Sequence, residues 1–124
     1  MTDRWAGVLL SLLFAGTGIV YLVVAPTTWP VGHNLWGGLH VAAGSGGALA
    51  CWRSTRRWES VAGGSMVAML LFRAVSVFGS MWWGALADAS DAARDSGWVA
   101  IANFVFASAA FAVAWGAVVR RPVR

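Results

Sequence analysis

Arg73 lies near the middle of the apolar run Val61–Ala87, and no Asp or Glu lies within any of the four apolar stretches of the chain. A guanidinium stays charged in proteins. At a bilayer centre that charge costs roughly 2.5–3.5 kcal/mol on insertion scales. Its planar fork suits phosphate and carboxylate. Three chemistries follow for Arg73. It is a strut donating to Thr17, Asn103 or backbone carbonyls, a site for a small anion or an anionic lipid phosphate, or a contact to a partner's carboxylate.

Histidine offers a second chemistry. His33 and His40 are seven residues apart on one predicted helix. Two axial haem ligands from one subunit belong on different helices facing each other, so a bis-histidine haem in one chain is not expected. A haem held by His40 alone, a haem shared between two chains, and a quinone site on His40 stay open. The spacing also lacks the i, i+4 pattern of helical metal motifs, and no carboxylate joins the pair. Neither a metal nor another cofactor is expected. No nucleophile stands beside a base, no carboxylates are paired, and no glycine loop has a phosphate-binding form. A non-enzyme is expected.

These residues need elements to hold them. A helix needs about 20 apolar residues to cross a bilayer. Four stretches qualify, at about 5–25, 33–52, 60–87 and 98–119. The chain of 124 residues is 59% hydrophobic and 11% charged, against about 25% charged for an ordinary soluble domain. A soluble chain this short cannot hide so much apolar surface. The first stretch exceeds the 7–15 apolar residues of a signal-peptide core, and Pro26 disfavours a cut after Ala25. It is read as a retained span. Cys51 is the sole cysteine, so no intrachain disulfide forms.

Orientation follows arginine. Arg4, Arg53, Arg56, Arg57, Arg120, Arg121 and Arg124 fall on one side, against Arg94 with Asp88, Asp91 and Asp95 on the other. Both termini are therefore expected in the cytoplasm, and the 26–32 and 88–97 loops outside. The formal charge of +4 sits at these boundaries and not along one soluble face, which argues against nucleic acid. Trp5, Trp52, Trp58 and Trp115 fall at the inner boundary; Trp29, Trp36, Trp82, Trp83 and Trp98 fall at the outer one. Amphipathic rings prefer that level.

Small residues let helix backbones approach in lipid. The second span places His33, Gly37, His40, Gly44, Gly47 and Cys51 on one face. The first places Gly7, Ser11, Phe14, Gly18 and Tyr21 together. The third offers Met66, Met69, Arg73, Ser76 and Ser80, and the fourth Asn103, Ala107, Ala110, Ala114 and Ala117. The expected fold is an all-α membrane protein, one domain over 1–124, built as an antiparallel bundle of four transmembrane helices with these seams inward. A homo-oligomer through one glycine-rich seam is the competing arrangement. At 1.5 Å per residue, His40 and Arg73 lie about 12 and 14 Å below the outer boundary. Thr17, Ser76, Asn103 and Ser108 fall near that level, with Tyr21 and His33 above it. A cavity open to the outer face with Arg73 at its floor is the expectation.

The run Asn34-Leu35-Trp36-Gly37-Gly38-Leu39-His40-Val41-Ala42-Ala43-Gly44, followed by Arg53 and Arg56-Arg57, resembles the second span of a family of small four-span actinobacterial membrane proteins of unknown function. Asn103 matches the Asn of a second Asn-x-x-His of that family, but Phe106 stands where the His would be. The resemblance implies a four-span architecture and no activity.

The expected function is that of a non-catalytic, multi-pass protein of the inner (plasma) membrane. It acts as an accessory or assembly subunit beside other membrane proteins or copies of itself, with Arg73 as its lipid, anion or partner contact. A small oligomeric transporter or channel, including a holin-like pore, is the first alternative. A haem- or quinone-binding subunit using His40 is the second.

Overall fold

The computed structural model describes residues 3–24, 33–83 and 90–120. All regular structure among these residues is helical: α1 (Asp3–Val24), α2 (His33–Trp52), α3 (Arg56–Trp82) and α4 (Asp91–Val119). Three helices are long and apolar enough to cross a membrane, over Arg4–Val23, Arg56–Trp82 and Arg94–Val119. The fourth, α2, has the length at 20 residues. Its five glycines, His33, Asn34 and His40 dilute its apolar character.

Helix ends depart from the expected ones for local reasons. Residues 53–59 read as a loop, yet only 53–55 separate α2 from α3. Two backbone bonds close the end of α2. Ser54 N–H donates to the Cys51 carbonyl at 3.2 Å, and Thr55 N–H to that of Ala50 at 3.2 Å. This is a Schellman closure, and it puts Ser54 in the left-handed region at φ 54°. Thr55 then stands at the N-cap position of α3, its carbonyl taking the first bond from Glu59 N–H at 3.0 Å. The helix that carries the expected fourth span begins earlier than residue 98, at Asp91. Ser90 stands at the N-cap position and accepts from Arg94 N–H at 3.1 Å. Asp91 in the first turn complements the helix dipole. The expected residues 84–87 of the third span, and the whole 25–32 loop with Trp29, lie outside the described residues.

The chain divides into two compact units, Met1–Met66 with Ala112–Arg124, and Val67–Phe111. In the first, α1 and α2 run antiparallel with their backbones in near contact. A Cβ added to Gly44 would lie 2.5 Å from the Ser11 carbonyl oxygen and 2.6 Å from Ala15 N. One added to Gly18 would lie 2.5 Å from the Gly37 carbonyl oxygen. Only glycine permits this approach, because the obstacles are backbone and cannot swing aside. The expected seams are the real ones here: Gly7, Ser11, Phe14 and Gly18 on α1, and Gly37, His40, Gly44, Gly47 and Cys51 on α2, are all buried. In the same unit Trp115 packs its ring on Gly63, and its Nε1–H donates to the Glu59 carbonyl at 2.9 Å.

The second unit is a two-helix pairing of α3 with α4. Gly97 faces Met81, and the Arg73 guanidinium carbon lies 5.4 Å from the Phe104 ring centroid. Ser108 Oγ reaches the Val67 carbonyl at 3.5 Å, the long end of hydrogen bonding. Phe78 meets Trp82 at 6.0 Å, Trp83 at 6.2 Å and Trp98 at 6.0 Å between ring centroids. Here the expected seam of α4 is inward only in part: Asn103 and Ala110 are exposed and Ala107 is half-buried, while Gly97 and Ser108 are buried. In the first unit Ala117 is exposed and Ala114 half-buried, beside buried Trp115 and Val118.

Candidate functional site

Of the seven residues singled out by sequence, Thr17, Tyr21, His33 and His40 lie in the first unit and Arg73, Ser76 and Asn103 in the second. His40 is the most enclosed, at 1% exposure. Its ring stacks on Phe14 with centroids 4.5 Å apart and planes 10° apart. Tyr21 tilts over it at 5.7 Å. The Nδ1 atom lies 2.8 Å from the Trp36 carbonyl. A carbonyl only accepts, so Nδ1 carries the proton of this bond. Nε2 is buried. A Cβ added at Gly18 would lie 2.6 Å from His40 Cβ, so the α1 backbone runs against the base of this side chain. The ring works as a wedge between two glycine-lined helices. His33 opens α2, and its side chain lies outside the described residues.

Two hydroxyls of the expected belt are turned back on their own helices. Thr17 is exposed and donates to the Leu13 carbonyl at 3.1 Å. Ser76 donates to that of Phe72 at 2.9 Å. Such i−4 bonds use the hydroxyl's one proton inside an apolar span and leave its oxygen only as an acceptor. Neither residue takes part in a gathered polar site. Arg73 is half-buried beside Phe104, a cation–π arrangement worth about 0.5–1 kcal/mol where exposed and more when desolvated.

Asn103 is different. It is exposed, and its amide makes no hydrogen bond among the described residues. It sits nine residues into the span that begins at Arg94, about 14 Å along the helix axis. Around it on the same exposed face stand Val99, Phe106, Ala110, Val113 and Ala117. An amide carries two donors and an acceptor with two lone pairs, and hydrocarbon satisfies none of them.

Two features escaped the sequence reading. Glu59, placed there in a loop, lies in the first turn of α3 and is fully buried. Trp115, read as an interfacial ring, is buried at 5% exposure. Gly63 supplies the slot for its indole, and the Gly63-to-Trp115 pairing spans too much sequence for spacing to reveal. Six other tryptophans, Trp5, Trp52, Trp58, Trp82, Trp83 and Trp98, are exposed near helix ends, as an aromatic belt requires. No group of three or more metal-ligating side chains occurs among the described residues. Compared with known proteins, the chain matches no family model, no curated protein and no solved structure.

Proposed function

We propose that this chain is a multi-pass protein of the plasma membrane, with both termini cytoplasmic, that works by associating with other membrane-spanning helices as an accessory or assembly subunit. The observation that carries the reading is Asn103. A polar amide near the middle of an apolar span, on an exposed face of α4 and with no hydrogen bond among the described residues, is stabilised by a helix that comes to meet it. The reading moves the principal contact from Arg73, which rests beside Phe104, to Asn103. Seven boundary arginines against one support the orientation. The partner helix belongs either to a second copy or to another subunit.

Native mass spectrometry of protein gently released from its own membrane tests this, with wild type beside Asn103→Leu and Arg73→Leu. The expected result is a bound protein mass in wild type that is lost in Asn103→Leu. Loss only in Arg73→Leu returns the contact to Arg73. A bare monomer in all three overturns the association reading, and an ion-flux assay in liposomes then tests the transporter or pore.

A further inference from the structure

A half-open groove of about 570 Å³ lies along the first unit between α2 and the start of α3. Its walls are small and apolar, including Ala42, Gly46 and Leu49 on α2 and Ala62 on α3. Ser65 also lines it, but its hydroxyl donates to the Val61 carbonyl at 2.8 Å. Thr55, the other hydroxyl in the lining, donates to the Ala50 carbonyl at 3.4 Å, so both hydroxyl protons are used within the chain. At one end the character changes. Arg53 and Trp58 line the mouth, and Arg56 and Arg57 stand exposed beside it. The one carboxylate nearby in sequence, Glu59, is fully buried.

Length and charge together identify an occupant. From Ala42 to Arg53 the α2 wall runs eleven residues, about 16 Å at 1.5 Å per residue. One leaflet of a bilayer contributes about 15 Å of a hydrocarbon core about 30 Å thick. The groove is thus one leaflet deep, mostly apolar along its length and cationic at the level where headgroups lie. Arginine there meets phosphate with a planar fork, and tryptophan marks the interface. We propose that this groove holds one acyl chain of an anionic phospholipid, with Arg53 on the phosphate. The inference rests on the chain lying in a bilayer and is independent of Asn103.

A second groove serves as the internal control. It has about 590 Å³ and is lined by residues such as Leu9, Leu13, Ala114 and Val118. No charged side chain lines it. It accepts any acyl chain and selects no headgroup.

The experiment is lipid titration followed by native mass spectrometry of the full chain. Dioleoyl-phosphatidylglycerol and dioleoyl-phosphatidylcholine are the probes. Wild type is expected to retain the glycerol lipid preferentially. Arg53→Gln lowers that retention about five-fold, the effect of about 1 kcal/mol per basic residue at an anionic surface, and leaves the choline lipid unchanged. Arg53→Lys restores most of it. Gly46→Leu fills the groove and lowers retention of both lipids; a Cβ at Gly46 meets nothing within 4 Å, so the helix accepts it. Should that variant fail to fold, Ser65→Leu fills the same groove from the opposite wall. Ala114→Leu, in the control groove, leaves the preference intact. Equal retention of both lipids by wild type, unchanged retention in Arg53→Gln, or an equal loss in Ala114→Leu overturns the proposal. Asn103→Leu binds lipid like wild type, so failure of the association reading and failure of this one are read separately.

Discussion

The α1–α2 pair and the Val67–Phe111 hairpin solve the same problem in opposite ways. Both carry small residues every three or four positions. In α1–α2 the small residues face inward, and backbone approaches backbone at Gly18 and Gly44. In the hairpin Ala110 of the α4 stripe faces outward with Ala107 half-buried, and contact is made by Met81, Phe104 and Ser108. A third of the apolar stretch of α1, 33%, is buried within the protein, against 17% for that of α3 and 11% for that of α4. The first pair is finished by its own chain. The second leaves an apolar face with one amide on it. Glycine and alanine therefore carry different messages: a glycine stripe reports a close internal approach, whereas an alanine stripe reports only that a close approach is possible.

The sharpest way to break the comparison is to put the same leucine on each stripe. Gly44→Leu must push α1 from α2 against Ser11 and Ala15 backbone, at a cost of about 3 kcal/mol. Ala110→Leu adds bulk to an exposed face of α4 and changes the stability of the isolated chain by less than about 0.5 kcal/mol. Unfolding midpoints in an SDS titration, followed by circular dichroism, compare the two. Equal losses would mean that α4 also packs through its alanines.

Asn103→Leu comes next and acts on association, not on folding. Interhelical polar contacts in membranes contribute about 0.6–2 kcal/mol. The expected weakening of the complex is thus about 3- to 30-fold, with an unchanged unfolding midpoint. Sedimentation equilibrium in detergent measures the first and the SDS titration the second. A fall in the midpoint without loss of association would make Asn103 an internal residue of the fold.

Trp115 marks where α4 passes from the poorly covered region into the covered one. Trp115→Phe keeps much of the ring in the Gly63 slot but removes the bond to the Glu59 carbonyl. The expected destabilisation is about 1 kcal/mol from that bond. Tryptophan emission checks the environment independently: this buried indole emits at shorter wavelength than the exposed ones, so the variant's average emission shifts to the red.

The legible parts of the fold were those written in local spacing. The glycine face of α2 and the Ser11–Gly18 face of α1 follow from residues three and four apart, and so did the four helices themselves. What escaped depended on pairing across long sequence separations. Glu59 looked like a loop residue because arginines flank it and Ser54 precedes it; nothing local says that α3 begins at Arg56. Trp115 looked interfacial because tryptophan usually is, and only the slot at Gly63 overrides that preference. The polar belt was read from depth alone. Depth does not specify direction, and Thr17 and Ser76 bond their own helices at that depth while Asn103 points away.

The smallest expected effect is a gain, and it sharpens the account of how the covered region is closed. Ser54 holds φ 54° at the end of α2, a conformation that costs a residue with a Cβ roughly 1–2 kcal/mol. Glycine removes that cost but adds roughly 0.5–1 kcal/mol of unfolded-chain entropy. The difference favours Ser54→Gly by about 0.5–1 kcal/mol. Ser54→Val runs the other way, because a β-branched side chain tolerates positive φ worst. Raised and lowered SDS midpoints, respectively, are the expected outcome. The same turn sets Arg53 at the mouth of the α2–α3 groove and Thr55 at the head of α3. Ser54→Val therefore lowers phosphatidylglycerol retention along with stability, while Ser54→Gly leaves retention at the wild-type level. If the glycine variant is stabilised yet loses the lipid, the left-handed serine is itself part of the headgroup contact.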